Sequence, residues 1–176
     1  MVGALLLAGP AHGAGIEEFF GTWRGTEISA PKGLEFQADD LGVAIEPYDS
    51  GFHMRWTTLD RTGPEGGFTA EPVEASFSET ERAGVYEYDP GGGSLLTSLF
   101  EAPATGNPLE GETLLWARLE ETALVVYSLS IDSHGGLDLN RYARTLSDDG
   151  MVVSYQRRIE GREPVRIEGR LERAGG

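Results

Sequence analysis

Arg141, Tyr155 and Arg157 offer the clearest chemistry in this chain. Two guanidinium forks and a phenol can hold a carboxylate or phosphate through several charge-assisted hydrogen bonds. With Asp148-Asp149-Gly150 read as a three-residue hairpin loop and Gly150 in the left-handed region, Arg141 falls directly opposite Arg157. The same face then carries Leu137, Leu139, Ala143, Met151, Val153, Tyr155 and Ile159, an inward signature. Like charges opposed on an inward face repel each other and lose hydration unless an anion lies between them. That anion is a ligand's carboxylate or phosphate in one reading. In the other, one arginine covers an early tryptophan, and its fellow pairs with an internal Asp or Glu or reaches the rim.

Other chemistry is sparse. Ser94 follows Gly91-Gly92-Gly93, but the run is not a G-x-S-x-G elbow and no histidine has an evident place beside it. There is no H-E-x-x-H, no P-loop and no G-x-G-x-x-G ahead of a helix. Asp39-Asp40 and Asp148-Asp149 are turn-forming pairs without the ordered oxygen ligands of a calcium loop. The expectation is no catalytic constellation, no metal and no cofactor.

The elements that must position the arginines are strands. Short apolar runs separated by Gly, Pro, Asn and Asp follow one another to the C-terminus at the spacing of all-β barrels and sandwiches. They fall at about 22–30, 41–48, 52–59, 68–79, 84–88, 112–120, 122–131, 136–147, 150–160 and 164–173. Across the Asp49-Ser50-Gly51 turn, a two-residue loop pairs odd positions Val43 and Ile45 with even positions Phe52, Met54 and Trp56 on one face. The hairpin over Gly161-Arg162-Glu163 places Val165, Ile167, Gly169 and Leu171 inward, with Arg166, Glu168, Arg170 and Glu172 toward water. Trp56 and Trp116 fall in apolar phases and read as core. Helical periodicity is nearly absent, which excludes parallel βαβ architectures.

One region breaks the meander. Between Asp89 and Gly111, Ser94 could cap a short helix carrying Leu95, Leu96, Leu99 and Phe100. A loop of this length is either a lid over a pocket or a cover for a strand edge.

The chain has 176 residues, which suits one domain, and 29 Asp plus Glu against 14 Lys plus Arg give a net charge of -15. Such a field repels phosphate backbones, so nucleic acid is not an expected partner. Residues 1–15 are uncharged and combine a Leu/Ala run with small residues, resembling the end of a signal peptide ahead of a domain over 16–176. That run is too short for a transmembrane anchor. Zero cysteines exclude disulfides and thiolate sites, and point an exported protein to a bacterial periplasm or to secretion.

Gly21-x-Trp23, after a helical turn over Ile16 to Phe20 and at the start of the first strand, resembles the opening of calycin-type barrels: lipocalins, avidins and fatty-acid-binding proteins. The resemblance implies that Trp23 plugs the closed end of the barrel, with a basic side chain from a late strand stacked over it. The extended Gly21-Thr22-Trp23-Arg24-Gly25 also resembles the opening of nitrobindin-like barrels, which have ten strands and bind haem through a late histidine. Here His12, His53 and His134 all miss an inward late-strand position, so that resemblance implies shape without haem.

The expectation is an all-β, antiparallel up-and-down barrel of about ten strands, acting as a periplasmic or secreted binding protein for a small hydrophobic or amphipathic molecule. The alternatives are an interaction or structural module whose barrel is filled by its own side chains, and a barrel enzyme that no motif favours.

Overall fold

The computed structural model describes residues 14–32, 37–62, 67–92 and 106–175. Within them the chain forms β1 (Gly21–Ser29), β2 (Val43–Tyr48), β3 (Gly51–Thr62), β4 (Gly67–Glu79), β5 (Val85–Asp89), β6 (Leu114–Glu120), β7 (Ala123–Ile131), β8 (Leu137–Ser147), β9 (Gly150–Ile159) and β10 (Val165–Arg173). Each strand pairs antiparallel with its sequence neighbours, and β1 pairs with β10, so the sheet closes into a ten-strand up-and-down barrel. Closure gives every strand a partner on both sides, although β1 and β2 pair only over Gly21–Trp23 and Val43–Ile45. The expected lid residues Leu95, Leu96, Leu99 and Phe100 lie outside the described residues, as do residues 1–13 of the leader-like segment.

The interior holds the even positions Phe52, Met54 and Trp56 of β3 and the odd positions Val73, Ala75 and Phe77 of β4, all buried. Val43 opposes Trp56 and Ile45 opposes Met54, the register expected for that hairpin. Met151, Val153, Tyr155, Ile167 and Leu171 complete the wall from β9 and β10, also as expected.

A glycine explains how the barrel is closed. Trp23 opposes Arg173 in the β1–β10 ladder, and the Arg173 guanidinium lies 4.3 Å from the centre of the indole. The Trp23 N–H donates to the Phe19 carbonyl at 3.0 Å, and Arg173 donates to the Phe20 and Glu18 carbonyls at 2.6 and 3.2 Å. The 3₁₀ turn Ile16–Phe19 is thereby held across the barrel end. Gly21 has φ +127°, and a Cβ there would lie 2.7 Å from Arg173 Nη1. The Gly-x-Trp spacing thus clears the path by which the arginine reaches the ring, and a cation over an indole adds about 1 kcal/mol.

The other end is entered by the chain itself. The connection between β1 and β2 contains a 3₁₀ turn, Ala38–Leu41, which packs on the inward side of β1 and β10. Cβ atoms at Gly25 and Gly169 would lie 1.6 Å from the Ala38 carbonyl oxygen and 2.1 Å from Leu41 Cδ1. Two glycines in strand interiors weaken the strands, and here they admit a foreign side chain into the core.

Gly25→Ala drives a methyl into the Ala38 carbonyl and is expected to cost about 2 kcal/mol or more. A urea denaturation midpoint indistinguishable from that of the parent would show that this turn does not fill the barrel.

Candidate functional site

The turn between β8 and β9 decides which arginines face the interior. Ser147 pairs with Gly150, so the loop is the two residues Asp148-Asp149 and Gly150 is the first residue of β9. Gly150 has φ +146°, a conformation that residues with a side chain rarely adopt, and a Cβ there would also lie 2.3 Å from the Leu171 carbonyl oxygen, so both its backbone and its packing against β10 require glycine. The expected three-residue loop shifts the pairing by one, and the shift exchanges the faces of β8. Arg157 opposes Asn140, and Arg141 opposes Gln156.

On β8 the interior therefore receives Asp138, Asn140, Tyr142, Arg144 and Leu146, while Leu137, Leu139, Arg141 and Ala143 lie on the outer wall. Leu137 is 41% exposed. Arg141 stands 3.6 Å from Glu120, which also takes Arg118 at 3.0 Å and the Tyr127 hydroxyl at 3.1 Å. Trp116, expected in the core, stacks on Tyr127 in this same outer patch with centroids 4.9 Å apart. The structure brings Tyr155 and Arg157 together on the interior and places Arg141 on the other side of the wall.

Arg157 carries its own counter-ion. Its Nη2 donates to Asp138 at 2.7 Å and its Nε reaches both carboxylate oxygens at 3.2 Å. Asp138 lies two residues from Asn140, which accepts from the Tyr155 hydroxyl at 2.9 Å. Tyr142 packs against Tyr155 with centroids 4.8 Å apart, and its hydroxyl bonds across the lumen to Thr58 of β3. Asp138 and Arg157 lie near the turns remote from Trp23, whereas Leu146 sits beside Trp23. The result is a polar strip on the inward faces of β3, β8 and β9 in the half of the barrel away from the plug.

Burial raises the pKa of both phenols, Tyr142 and Tyr155. They are neutral hydroxyls throughout the physiological range. The pairing Thr58–Tyr142–Tyr155 was not visible in the sequence, because it needs the β8 phase that the turn length sets.

Arg144 lies at the inner end of the strip. It is 3% exposed, and its guanidinium carbon is 5.9 Å from the Trp56 ring. Burial pushes its pKa down to about 10, so it remains a cation at neutral pH. Its Nε and Nη1, together with the Trp56 indole nitrogen, are buried without a hydrogen-bond acceptor among the described residues. Leaving a buried donor unmatched costs about 1–3 kcal/mol, more when it is charged.

His53 and Ser76 form a different cluster on the outer wall, with Nδ1 2.9 Å from Oγ and Nε2 4.0 Å from Glu74. The trio has the residue types of a hydrolase, but Ser76 is fully buried and presents no nucleophile. His134 sits in the Asp132–Gly136 turn, where its backbone N–H donates to Asp132.

No protein-family model, curated protein or solved structure matches the chain. The architecture is compatible with a calycin-like barrel, and the Trp23–Arg173 stack has the form that resemblance implies. No helix among the described residues is long and apolar enough to cross a membrane.

Asp138→Asn leaves Arg157 without its counter-ion and is expected to cost about 2–3 kcal/mol. Arg141→Leu, on the outer wall, should cost less than about 1 kcal/mol. Chemical denaturation of both variants separates the two arginines, and equal losses would contradict the observed register.

The tyrosines set a further expectation. An unfolded tyrosine loses its proton near pH ~10, whereas Tyr142 and Tyr155 hold theirs while folded. The unfolded state then binds fewer protons above that pH, so stability is full below it and declines as pH rises beyond it. A double change of Tyr142 and Tyr155 to Phe should flatten the decline measured by alkaline denaturation, and an unaltered slope would refute it.

Proposed function

We propose that this chain is an exported binding protein that holds a small hydrophobic or amphipathic molecule inside its barrel. The observation that carries this reading is the polar strip of Thr58, Tyr142, Tyr155, Asn140, Arg157 and Arg144 on inward strand faces, which runs inward from the turns remote from the Trp23 plug. A barrel that served only as a scaffold would gain more from apolar side chains at those positions, since each buried hydroxyl or charge needs a partner. Aromatic rings beside hydrogen-bonding groups suit a ligand with an apolar body and a polar end. The Trp23–Arg173 closure supports grouping the chain with calycin-like barrels, and the leader-like residues 1–15 support export to the periplasm or medium.

A second reading, a module whose barrel is filled by its own side chains, is favoured by Leu41 entering the space over Gly25 and Gly169. Under it the plug half and the mouth half are both packed.

Native mass spectrometry of protein purified without detergent is expected to show a retained small molecule, and the apoprotein to take up the neutral fluorophore N-phenyl-1-naphthylamine. Bare protein that takes up no fluorophore would decide for the filled barrel.

A further inference from the structure

We propose that the ligand of this barrel is a monocarboxylate, anchored inside by the guanidinium of Arg144 with the Trp56 indole N–H as a neighbouring donor. This inference rests on the binding reading above and gives it a chemical class.

The two interior arginines of the strip differ in one respect. Arg157 has Asp138 against its fork through three contacts. Arg144, three residues from Arg141 and on the other face, has the deeper position and, among the described residues, meets the Trp56 ring instead of a carboxylate. In the ladder its neighbours are Leu124 of β7 and Val153 of β9, neither of which can accept a hydrogen bond through its side chain.

A guanidinium receives a carboxylate in two bidentate ways, side-on through Nε with Nη2 or end-on through Nη1 with Nη2. Each fork thus contains one nitrogen, Nε or Nη1, that is buried and without an acceptor among the described residues. The Trp56 indole nitrogen is in the same condition, on the ring that Arg144 faces. Among the described residues, these three are the buried side-chain polar atoms left without a partner, and they belong to two touching side chains. Buried donors are nearly always matched in native proteins, so a cluster of them marks a place where an acceptor binds.

The charge of the acceptor follows from its surroundings. One cation with no counter-ion among the described residues is neutralised by one negative charge. A dianion would leave a buried surplus and would also enter against a net protein charge of -15. The rings of Trp56, Tyr142 and Tyr155 supply the apolar contact for the rest of the molecule.

The test uses octanoate and its neutral counterpart octanol on the full chain, by calorimetry and by displacement of N-phenyl-1-naphthylamine. Octanoate is expected to bind at least about tenfold more tightly than octanol, the size of a charge-assisted contact. It should also shift the Trp56 indole N–H resonance. In Arg144→Met that preference and that shift should vanish while the fluorophore still binds. Should Arg144→Met fail to fold, Arg144→Lys keeps the charge without the planar fork and is expected to weaken octanoate by about tenfold. Equal affinities for octanoate and octanol, or octanoate binding that survives the change at Arg144, would overturn the anchor and leave the binding barrel standing. Failure of octanoate and fluorophore alike would overturn both.

Discussion

Joining β1 to β10 is the constraint on which the rest of the molecule depends. A closed sheet has two faces and no edges, so every residue of every strand is either inside or outside, and the pairing register of each hairpin decides which. The closing ladder is also where Trp23 meets Arg173, and it is loosened by a bulge between Gly25 and Glu27. Just beyond the stacked pair, the sheet bends and admits the Ala38–Leu41 turn against Gly25 and Gly169. Plug, bulge and inserted turn all act on one pair of strands, and together they fill the part of the barrel that those strands enclose.

The opposite wall is built differently. Thr58 and Tyr142 join β3 to β8 across the lumen, with Trp56 edge-on to Tyr142 at 6.1 Å. A ten-strand barrel bridged in this way is narrow where the bridge lies. Phe52, Phe77 and Tyr86 pack together below it, with centroids about 5 Å apart, and the side chains above it turn polar. The change from apolar to polar along the inward faces of β8 and β9 is therefore a gradient along the barrel axis, from the indole stopper toward the turns at the far end.

The strands were legible because period-two alternation and turn residues announce them, and their observed bounds differ from the sequence reading by only a few residues. The plug was legible because Gly21 and Trp23 stand at the start of the first strand. The face of β8 was not. Its outward positions Leu137, Leu139 and Ala143 are apolar, and its inward positions Asp138, Asn140 and Arg144 are polar, the reverse of the usual rule. Hydrophobic alternation pointed the wrong way, and Gly150 allowed both a two-residue and a three-residue loop. The observed loop has two residues, with Ser147 paired to Gly150, and Gly150 packs against the Leu171 carbonyl of β10, a contact no local pattern contains. Trp116 went astray for a related reason: a large aromatic in a strand suggests a core, yet here it stacks on Tyr127 beside the Arg118–Glu120–Arg141 group outside.

Among the described residues of this strongly acidic chain, Arg144 and Arg157 point inward and the exposed Arg173 caps the barrel end, and each is stabilised by different means. Arg173 spends its donors on the carbonyls of the N-terminal turn and its charge on the Trp23 ring. Arg157 is matched by Asp138. Arg144 faces the ring of Trp56, with Nε and Nη1 unmatched among the described residues. The surplus of carboxylates, 29 against 14 basic residues, gives the whole protein a negative potential, but charges at the surface are screened by salt within about 10 Å and form no hydrogen bonds with a buried group. A diffuse field can lower the cost of holding a cation inside; it cannot satisfy Nε and Nη1. The requirement for an acceptor at Arg144 is thus local and directional, and the proposed carboxylate answers it from inside the barrel where surface charge does not.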